Sequence, residues 1–169
     1  MQKVNCLQGK WRGVVFFLAA LLIVAADQLS KIWIRSNLAV GESLPEAGFF
    51  QLTHVQNTGA IFGLFQGQSF PLTVVALVGI GVILFYAFVL HRSFPLLDNR
   101  LSKLALGLVL GGTVGNLIDR LTTDLHYVTD FISIGIWPAF NIADSAITVG
   151  VIIFAYSLLR SLSRERKTT

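Results

Sequence analysis

Charged side chains are scarce in this sequence. Lys, Arg, Asp and Glu make up only 13% of the 169 residues, whereas soluble domains carry about 25%. Hydrophobic residues account for 54%, and the mean hydropathy is +0.70. This composition excludes an ordinary soluble domain. It predicts a mainly α-helical, polytopic membrane protein that forms one domain over residues 1–169.

Cysteine and histidine are also rare. The single cysteine, Cys6, cannot form an intrachain disulfide, and it precedes the first apolar run, where an unreactive thiol is expected. Three scattered histidines form no HExxH or comparable ligand set, so we expect no metal and no other cofactor. The formal net charge is +4, but the basic residues lie beside the apolar runs rather than in one continuous stripe, so nucleic acid is not an expected partner.

Four apolar segments are each about long enough to cross a bilayer. We place them at residues 14–34, 71–90, 103–118 and 144–160, with external loops at 35–70 and 119–143. The last two are short, which predicts little tilt or a locally thinned bilayer. Ala25-Ala26 resembles a signal-peptide cleavage site, but we expect the first span to be retained, because its pattern continues to the interfacial Trp33.

The basic residues predict the orientation. Ten of the thirteen Lys and Arg residues flank the spans on the side that holds both termini. Cytoplasmic loops are enriched in Lys and Arg, so we expect both termini in the cytoplasm. Seven of the nine acidic residues lie on the opposite, outer side: Asp27, Glu42, Glu46, Asp119, Asp124, Asp130 and Asp144.

The two external loops differ in pattern. Residues 48–65, GFFQLTHVQNTGAIFGLF, mix aromatic and β-branched residues with partial alternation, which predicts short strands in a small sheet at the outer surface. The loop at 119–143 is expected to be irregular and broken at Trp137-Pro138.

Acidic residues from three helices are predicted to lie at one depth. With a rise of 1.5 Å per residue, Asp27, Asp119 and Asp144 each lie ~22–24 Å from the cytoplasmic end of their helices. Asp130, on the adjoining loop, can reach the same level. Asp27 and Lys31 are four residues apart and share a helix face, so we expect a self-neutralising ion pair with a structural role rather than a catalytic one.

Glycines in the third span predict close helix packing. Gly107, Gly111 and Gly115 are spaced by four and form a smooth ridge for a neighbouring backbone. Packing is their expected role. It would hold the polar residues that follow where the helices converge, with Asp119 and Arg120 bracing the site by charge-assisted hydrogen bonds.

Asp130 and Asp144 are the best-placed pair for chemistry, since both lie on the outer side at a loop–helix junction. Two carboxylates in a small volume cannot both ionise readily, so the pair holds one proton. One member can then deprotonate water while the other donates a proton, which hydrolyses a peptide bond without a metal. Asp144 is equally well placed to cap a helix, and spacing alone leaves both roles open.

Five motifs resemble those of bacterial lipoprotein signal peptidase, also called signal peptidase II: DQLSK (27–31), QNTGAIF (56–62), GGTVGNLIDR (111–120), VTDF (128–131) and FNIADSAI (140–147). They span nearly the whole chain in the family's order. The resemblance implies an aspartyl endopeptidase of the bacterial cytoplasmic membrane, with its active site at the outer face. Such enzymes remove signal peptides from membrane-embedded prolipoproteins, cutting before a cysteine that carries diacylglycerol.

The resemblance also implies a fold and a set of site residues. The fold is four transmembrane helices with a small extracytoplasmic β-cradle, and we expect a monomer whose partners are its substrates and the bilayer. By motif position, the catalytic residues would be Asp130 and Asp144. Supporting residues would be Asn57, Asn116, Arg120 and Asn141, with Asp27, Lys31 and Asp119 as structural partners.

Three other functions use some of the same residues. A serine–lysine hydrolase would need Ser30 or Ser145 with Lys31, although Ser30 and Lys31 are adjacent and point apart on a helix. A small proton- or ion-coupled transporter would use the intramembrane acids, although no inverted repeats are evident and the acids lie near one face. A metal hydrolase would use His126, Asp124 and Asp130.

Overall fold

The computed structural model describes residues 2–59, 69–89, 99–124 and 126–165. These residues form four helices: α1 (Gln2–Asn37), α2 (Ser69–Phe88), α3 (Arg100–Thr122) and α4 (Ile142–Glu165). Each contains a stretch long and apolar enough to cross a membrane, namely Gly13–Asn37, Ser69–Phe88, Arg100–Thr122 and Ile142–Arg164. The prediction of a mainly helical membrane protein with four spans is confirmed.

The last two helices are longer than the spans predicted within them. The third and fourth spans are each 23 residues long, not short. Helix α3 begins after Asn99, whose side chain accepts a hydrogen bond from the Ser102 amide, and it continues through Asp119 to Thr122. Asp119, which follows the predicted end of the third span, is ion-paired with Lys31 inside the protein, so it does not stop the helix.

The sheet lies at one end of the bundle and has three antiparallel strands in the order β1 (Ser43–Leu44), β2 (Phe50–Asn57) and β3 (Val128–Ile134). Strand β2 confirms the predicted strand over Phe50–Asn57; residues 60–65 of that segment lie outside the described part of the chain. The prediction that residues 119–143 are irregular is wrong, because β3 pairs along β2.

Helix α3 packs backbone to backbone between α1 and α4. A Cβ atom on Gly107 would lie 2.5 Å from the carbonyl oxygen of Phe16, and one on Gly111 would lie 2.6 Å from that of Ala20. On the α4 side, a Cβ atom on Gly112 would collide with the carbonyl oxygen of Ala143. Small residues permit such approach between membrane helices, and the predicted glycine ridge is confirmed.

The sheet is fastened to the end of α1 by a small apolar core. Ile34, Leu38 and Phe131 are buried there, and Leu52 and Ile132 pack against them. Because Phe131 follows Asp130, this core places the candidate aspartate directly above the helical bundle.

Candidate active site

A buried cluster of charges joins α1 to α3. The Nζ atom of Lys31 lies 2.8 Å from Asp27 and 3.3 Å from Asp119, and all three side chains are 0% exposed. The predicted Asp27–Lys31 ion pair is confirmed. The same Nζ atom donates a hydrogen bond to Oδ1 of Asn116 at 2.8 Å, so the cluster extends toward the candidate site.

Asp119 attaches strand β3 to the helices. Its Oδ2 atom accepts a hydrogen bond from the Thr129 backbone amide at 2.9 Å. Its Oδ1 atom lies 3.4 Å from the Arg35 guanidinium and accepts from Gln28 at 3.1 Å. Since Thr129 precedes Asp130, these contacts fix the backbone that carries the candidate catalytic residue.

Sequence reasoning missed the parts that Gln28, Arg35 and Thr129 play. A signal for Arg35 was present, because it follows Lys31 by four residues and therefore lies on the same face of α1. No local pattern pointed to Thr129, since its contact with Asp119 depends on how β3 docks.

A turn after β3 brings the two candidate aspartates to one place. The chain reverses near Gly135, whose φ of +55° favours glycine. Phe140 then pairs with Ile132 in an isolated antiparallel bridge. Asn141 consequently lies beside Asp130, and α4 with Asp144 begins immediately afterwards.

Asn141 caps α4, and Asp144 completes a capping box. The Asp144 amide donates to Oδ1 of Asn141 at 2.9 Å, while Oδ2 of Asp144 accepts from the Asn141 amide at 3.3 Å. Asp27 takes a third amide of this helix start, that of Ala143, at 3.0 Å. Asp144 is therefore not the N-cap residue itself, and its other oxygen accepts a 2.8 Å hydrogen bond from Nδ2 of Asn116.

Asp130 is 2% exposed and accepts two amide hydrogen bonds. Nδ2 of Asn141 lies 2.7 Å from its Oδ1, and Nδ2 of Asn57 lies 2.8 Å from its Oδ2. Burial raises the pKa of Asp130 to about 7, and the nearby charge of Asp144 also raises it. The hydrogen bonds from Asn57 and Asn141 and the charge of Lys31 act in the opposite direction.

Both aspartates line one cavity of about 1120 Å³ between α2, α3, α4 and the sheet. Its polar end is formed by Asn57, Asn116, Arg120, Asp130 and Asp144. The remaining wall is mostly apolar and runs down between the helices, with Val75, Gly79 and Ile83 from α2 and Val109 and Ile147 opposite. Of the nine residues singled out from the sequence, five line this cavity, three form the buried cluster of charges beside it, and Asn141 donates hydrogen bonds to Asp130 and Asn116.

Arg120 differs from its neighbour Asp119. Successive residues on a helix point about 100° apart, so Asp119 faces α1 while Arg120 lines the cavity. The Nη2 atom of Arg120 donates to the carbonyl oxygen of Gly59 at 3.3 Å, and its buried Nε atom has no hydrogen-bond partner within the described residues. Asp119 and Arg120 therefore hold different parts of the site: Asp119 holds strand β3, and Arg120 holds the backbone at Gly59.

The residues of the rival hydrolases are engaged elsewhere. The hydroxyl of Ser30 donates to the carbonyl of Asp27 at 2.8 Å, and that of Ser145 donates to the carbonyl of Asn141 at 3.0 Å. His126 places Nδ1 2.7 Å from the carbonyl oxygen of Arg120. Across the described ranges, no three His, Cys, Asp or Glu side chains are grouped as a metal site requires.

Known proteins are similar to this chain in sequence and in fold. A family model described as signal peptidase (SPase) II matches residues 19–160. A lipoprotein signal peptidase of Dehalococcoides mccartyi is 52% identical over 141 residues, covering 83% of this chain and 86% of the relative. One of Moorella thermoacetica is 47% identical over 147 residues, covering 85% and 92%. A solved bacterial membrane enzyme, 30% identical, matches with a TM-score of 0.76 over 88% of this chain and 90% of that one. The chain therefore belongs to the signal peptidase II family.

Proposed function

We propose that this protein is a lipoprotein signal peptidase in which Asp130 and Asp144 form an aspartyl pair. Family membership supports the peptidase activity. The observation that carries the catalytic assignment is that both carboxyl groups line the polar end of one cavity. Each is held there by a side-chain amide, Asn141 on Asp130 and Asn116 on Asp144.

The pair hydrolyses the peptide bond by proton transfer. With a pKa of about 7, Asp130 holds the shared proton near neutral pH, and Asp144 is the ionised partner. Asp144 takes a proton from water as the water oxygen bonds to the scissile carbonyl carbon, and Asp130 donates its proton to the carbonyl oxygen. The proton held by Asp144 then passes to the amide nitrogen as the carbon–nitrogen bond breaks, and Asp130 takes back a proton from a hydroxyl group of the intermediate, which leaves a carboxyl product and restores the pair. Arg120, on the same wall, balances the single negative charge of the pair.

The substrate is a prolipoprotein whose cysteine carries diacylglycerol. The apolar wall of the cavity supports this choice, because it extends from the aspartates down α2 as far as Ile83. Ile83 lies fourteen residues after Ser69, which corresponds to ~21 Å along the helix. Lipid tails held along that wall would leave the bond before the cysteine at the polar end.

The enzyme resides in the bacterial cytoplasmic membrane, with both termini in the cytoplasm and the sheet outside. The charge distribution supports this orientation, because ten of the thirteen basic residues lie on the side of the termini. Asp130, Asp144 and the side-chain amides that hold them belong to a single chain, and the enzyme is proposed to act as a monomer.

Purified protein incubated with a lipid-modified precursor and with its unlipidated counterpart tests the function. We expect cleavage immediately before the lipidated cysteine, and little cleavage of the unlipidated chain. Activity that resists serine-acylating reagents and chelators separates the aspartyl mechanism from the serine and metal alternatives. An inactive protein that instead carries protons into liposomes would contradict the proposal in favour of a transporter.

A further inference from the structure

We propose that Lys31 is a positioning residue that acts on Asp144 through the side-chain amide of Asn116. This role rests on the proposed function of the aspartyl pair. This role goes beyond neutralising the charge of Asp27, because Lys31 on α1 determines which atom of the Asn116 amide faces the Asp144 carboxylate.

The amide of Asn116 can point in only one direction. The oxygen and nitrogen ends of an asparagine are similar in size, so hydrogen-bond partners decide its orientation. The ammonium group of Lys31 only donates, and it lies 2.8 Å from Asn116. The atom facing Lys31 must therefore be Oδ1, which turns Nδ2 toward Oδ1 of Asp144, 2.8 Å away.

Asn141 is oriented by the same logic. The Asp144 backbone amide, also only a donor, lies 2.9 Å from Oδ1 of Asn141. Nδ2 of Asn141 must then face the opposite way, where it donates to Asp130 at 2.7 Å and to Oδ1 of Asn116 at 3.1 Å. Oδ1 of Asn116 thus accepts hydrogen bonds from Lys31 and from Asn141. Each aspartate accepts a hydrogen bond from an asparagine whose orientation is fixed by a donor on its other side.

A purely structural role does not account for the third contact of Lys31. Its charge is already met by Asp27, four residues before it on α1, and by Asp119. The contact with Asn116 adds no charge balance. It connects the buried cation to Asp144 through one amide, and a hydrogen bond donated to a carboxylate favours the ionised form that takes the proton from water.

Paired substitutions test the connection through the pH dependence of cleavage. Lys31→Met removes the group that orients the amide, and Asn116→Leu removes the amide. We expect each to move the acid-side midpoint of kcat/KM upward by about one pH unit or more, because a hydrogen bond to a charged group is lost. The double variant should shift no further than either single variant, since both break the same connection.

Gln28→Leu is the matched control. Gln28 donates to Asp119 at 3.1 Å and to the Gly115 carbonyl at 3.0 Å, so its loss disturbs the same cluster but not the amide of Asn116. It should lower the melting temperature and leave the acid-side midpoint in place. A Lys31→Met shift that persists in full in the Asn116→Leu background would overturn the proposal, because Lys31 would then act directly through its charge.

Two further readouts keep the test decisive. If Lys31→Met does not fold, the test depends on Asn116→Leu. An acid-side midpoint of kcat/KM that stays at the wild-type pH in that variant contradicts the proposal. Infrared absorption of protonated carboxyl groups, followed against pH without substrate, should show the same displacement in both single variants. A wild-type protein that cleaves no precursor at any pH would refute the proposed function, whereas an unchanged infrared titration would refute the role of Lys31.

Discussion

Glycines on two sides of this molecule have opposite surroundings. On α3, a Cβ atom at Gly107 or Gly111 would lie 2.5 or 2.6 Å from a backbone oxygen of α1. On α2, a Cβ atom at Gly79 or Gly81 would meet nothing within 4 Å. The same residue type permits contact in one place and leaves space in the other.

This difference divides the bundle into a closed and an open half. The closed half, α1 with α3 and α4, holds the buried charges together with Asn116 and Asn141, which donate hydrogen bonds to the aspartates. The open half is α2, whose side chains form the apolar wall of the cavity. Under the proposed function, a lipid-bearing substrate enters from the bilayer along the open half, and the reaction takes place on the closed half.

The largest expected effect comes from removing one acid of the candidate pair. Asp130→Asn or Asp144→Asn should lower kcat by about 10²–10⁴-fold or more, the range that general acid–base catalysis supplies. The amide keeps the shape but cannot exchange the proton. Cleavage of a lipid-modified precursor, compared with the amount of protein in the membrane, measures the effect. Near-normal turnover by either variant, at normal expression, would remove the aspartyl assignment.

Overfilling the closed half should come next. Gly107→Leu inserts a side chain where the Phe16 carbonyl lies, and overpacking costs about 1–3 kcal/mol or more. Thermal unfolding in detergent should show a lower melting temperature and lost activity. Gly81→Leu is the control, because its site is open and lies outside the cavity lining. Equal melting temperatures for both variants would contradict the division into two halves.

Filling the open half should affect the substrate and not the fold. Gly79 lines the cavity, so Gly79→Leu should lower kcat/KM for the lipid-modified precursor by about 10-fold, as expected when a hydrophobic pocket loses space. The melting temperature should match that of Gly81→Leu. If both leucine variants cleave as the wild type does, the wall along α2 does not hold the lipid tails.

The closed half was also the more predictable from sequence. The Asp27–Lys31 pair and the ridge from Gly107 to Gly115 follow from spacing within one helix, and both are found. Strand β3 was missed because its partner β2 lies more than seventy residues earlier. The sequence analysis considered Asp144, and not Asn141, as a possible cap because the chain before α4 was expected to be irregular, whereas the bridge at Phe140 fixes where the helix begins.

The last expected effect is on stability as pH changes, and it comes from Asp130, where the two halves meet. Its pKa is about 7 in the folded protein, against about 3.9 for an unfolded aspartate. Between these values the folded chain binds more protons than the unfolded one, so the free energy of unfolding falls as pH rises. This contribution is fully present below about pH 4 and is lost above about pH 7.

The pH dependence of cleavage should reflect the same protonation of Asp130. Above about pH 7, Asp130 loses the proton that it donates to the scissile carbonyl, so kcat/KM should fall on the alkaline side with a midpoint near that value. Asp130→Asn cannot titrate, and its free energy of unfolding should lose the decrease between pH 4 and 7 that the wild type shows. An alkaline midpoint above pH 9, or the same pH dependence of stability in both proteins, would mean that Asp130 does not carry the shared proton. The acid role would then pass to Asp144, while the closed half would still hold the pair.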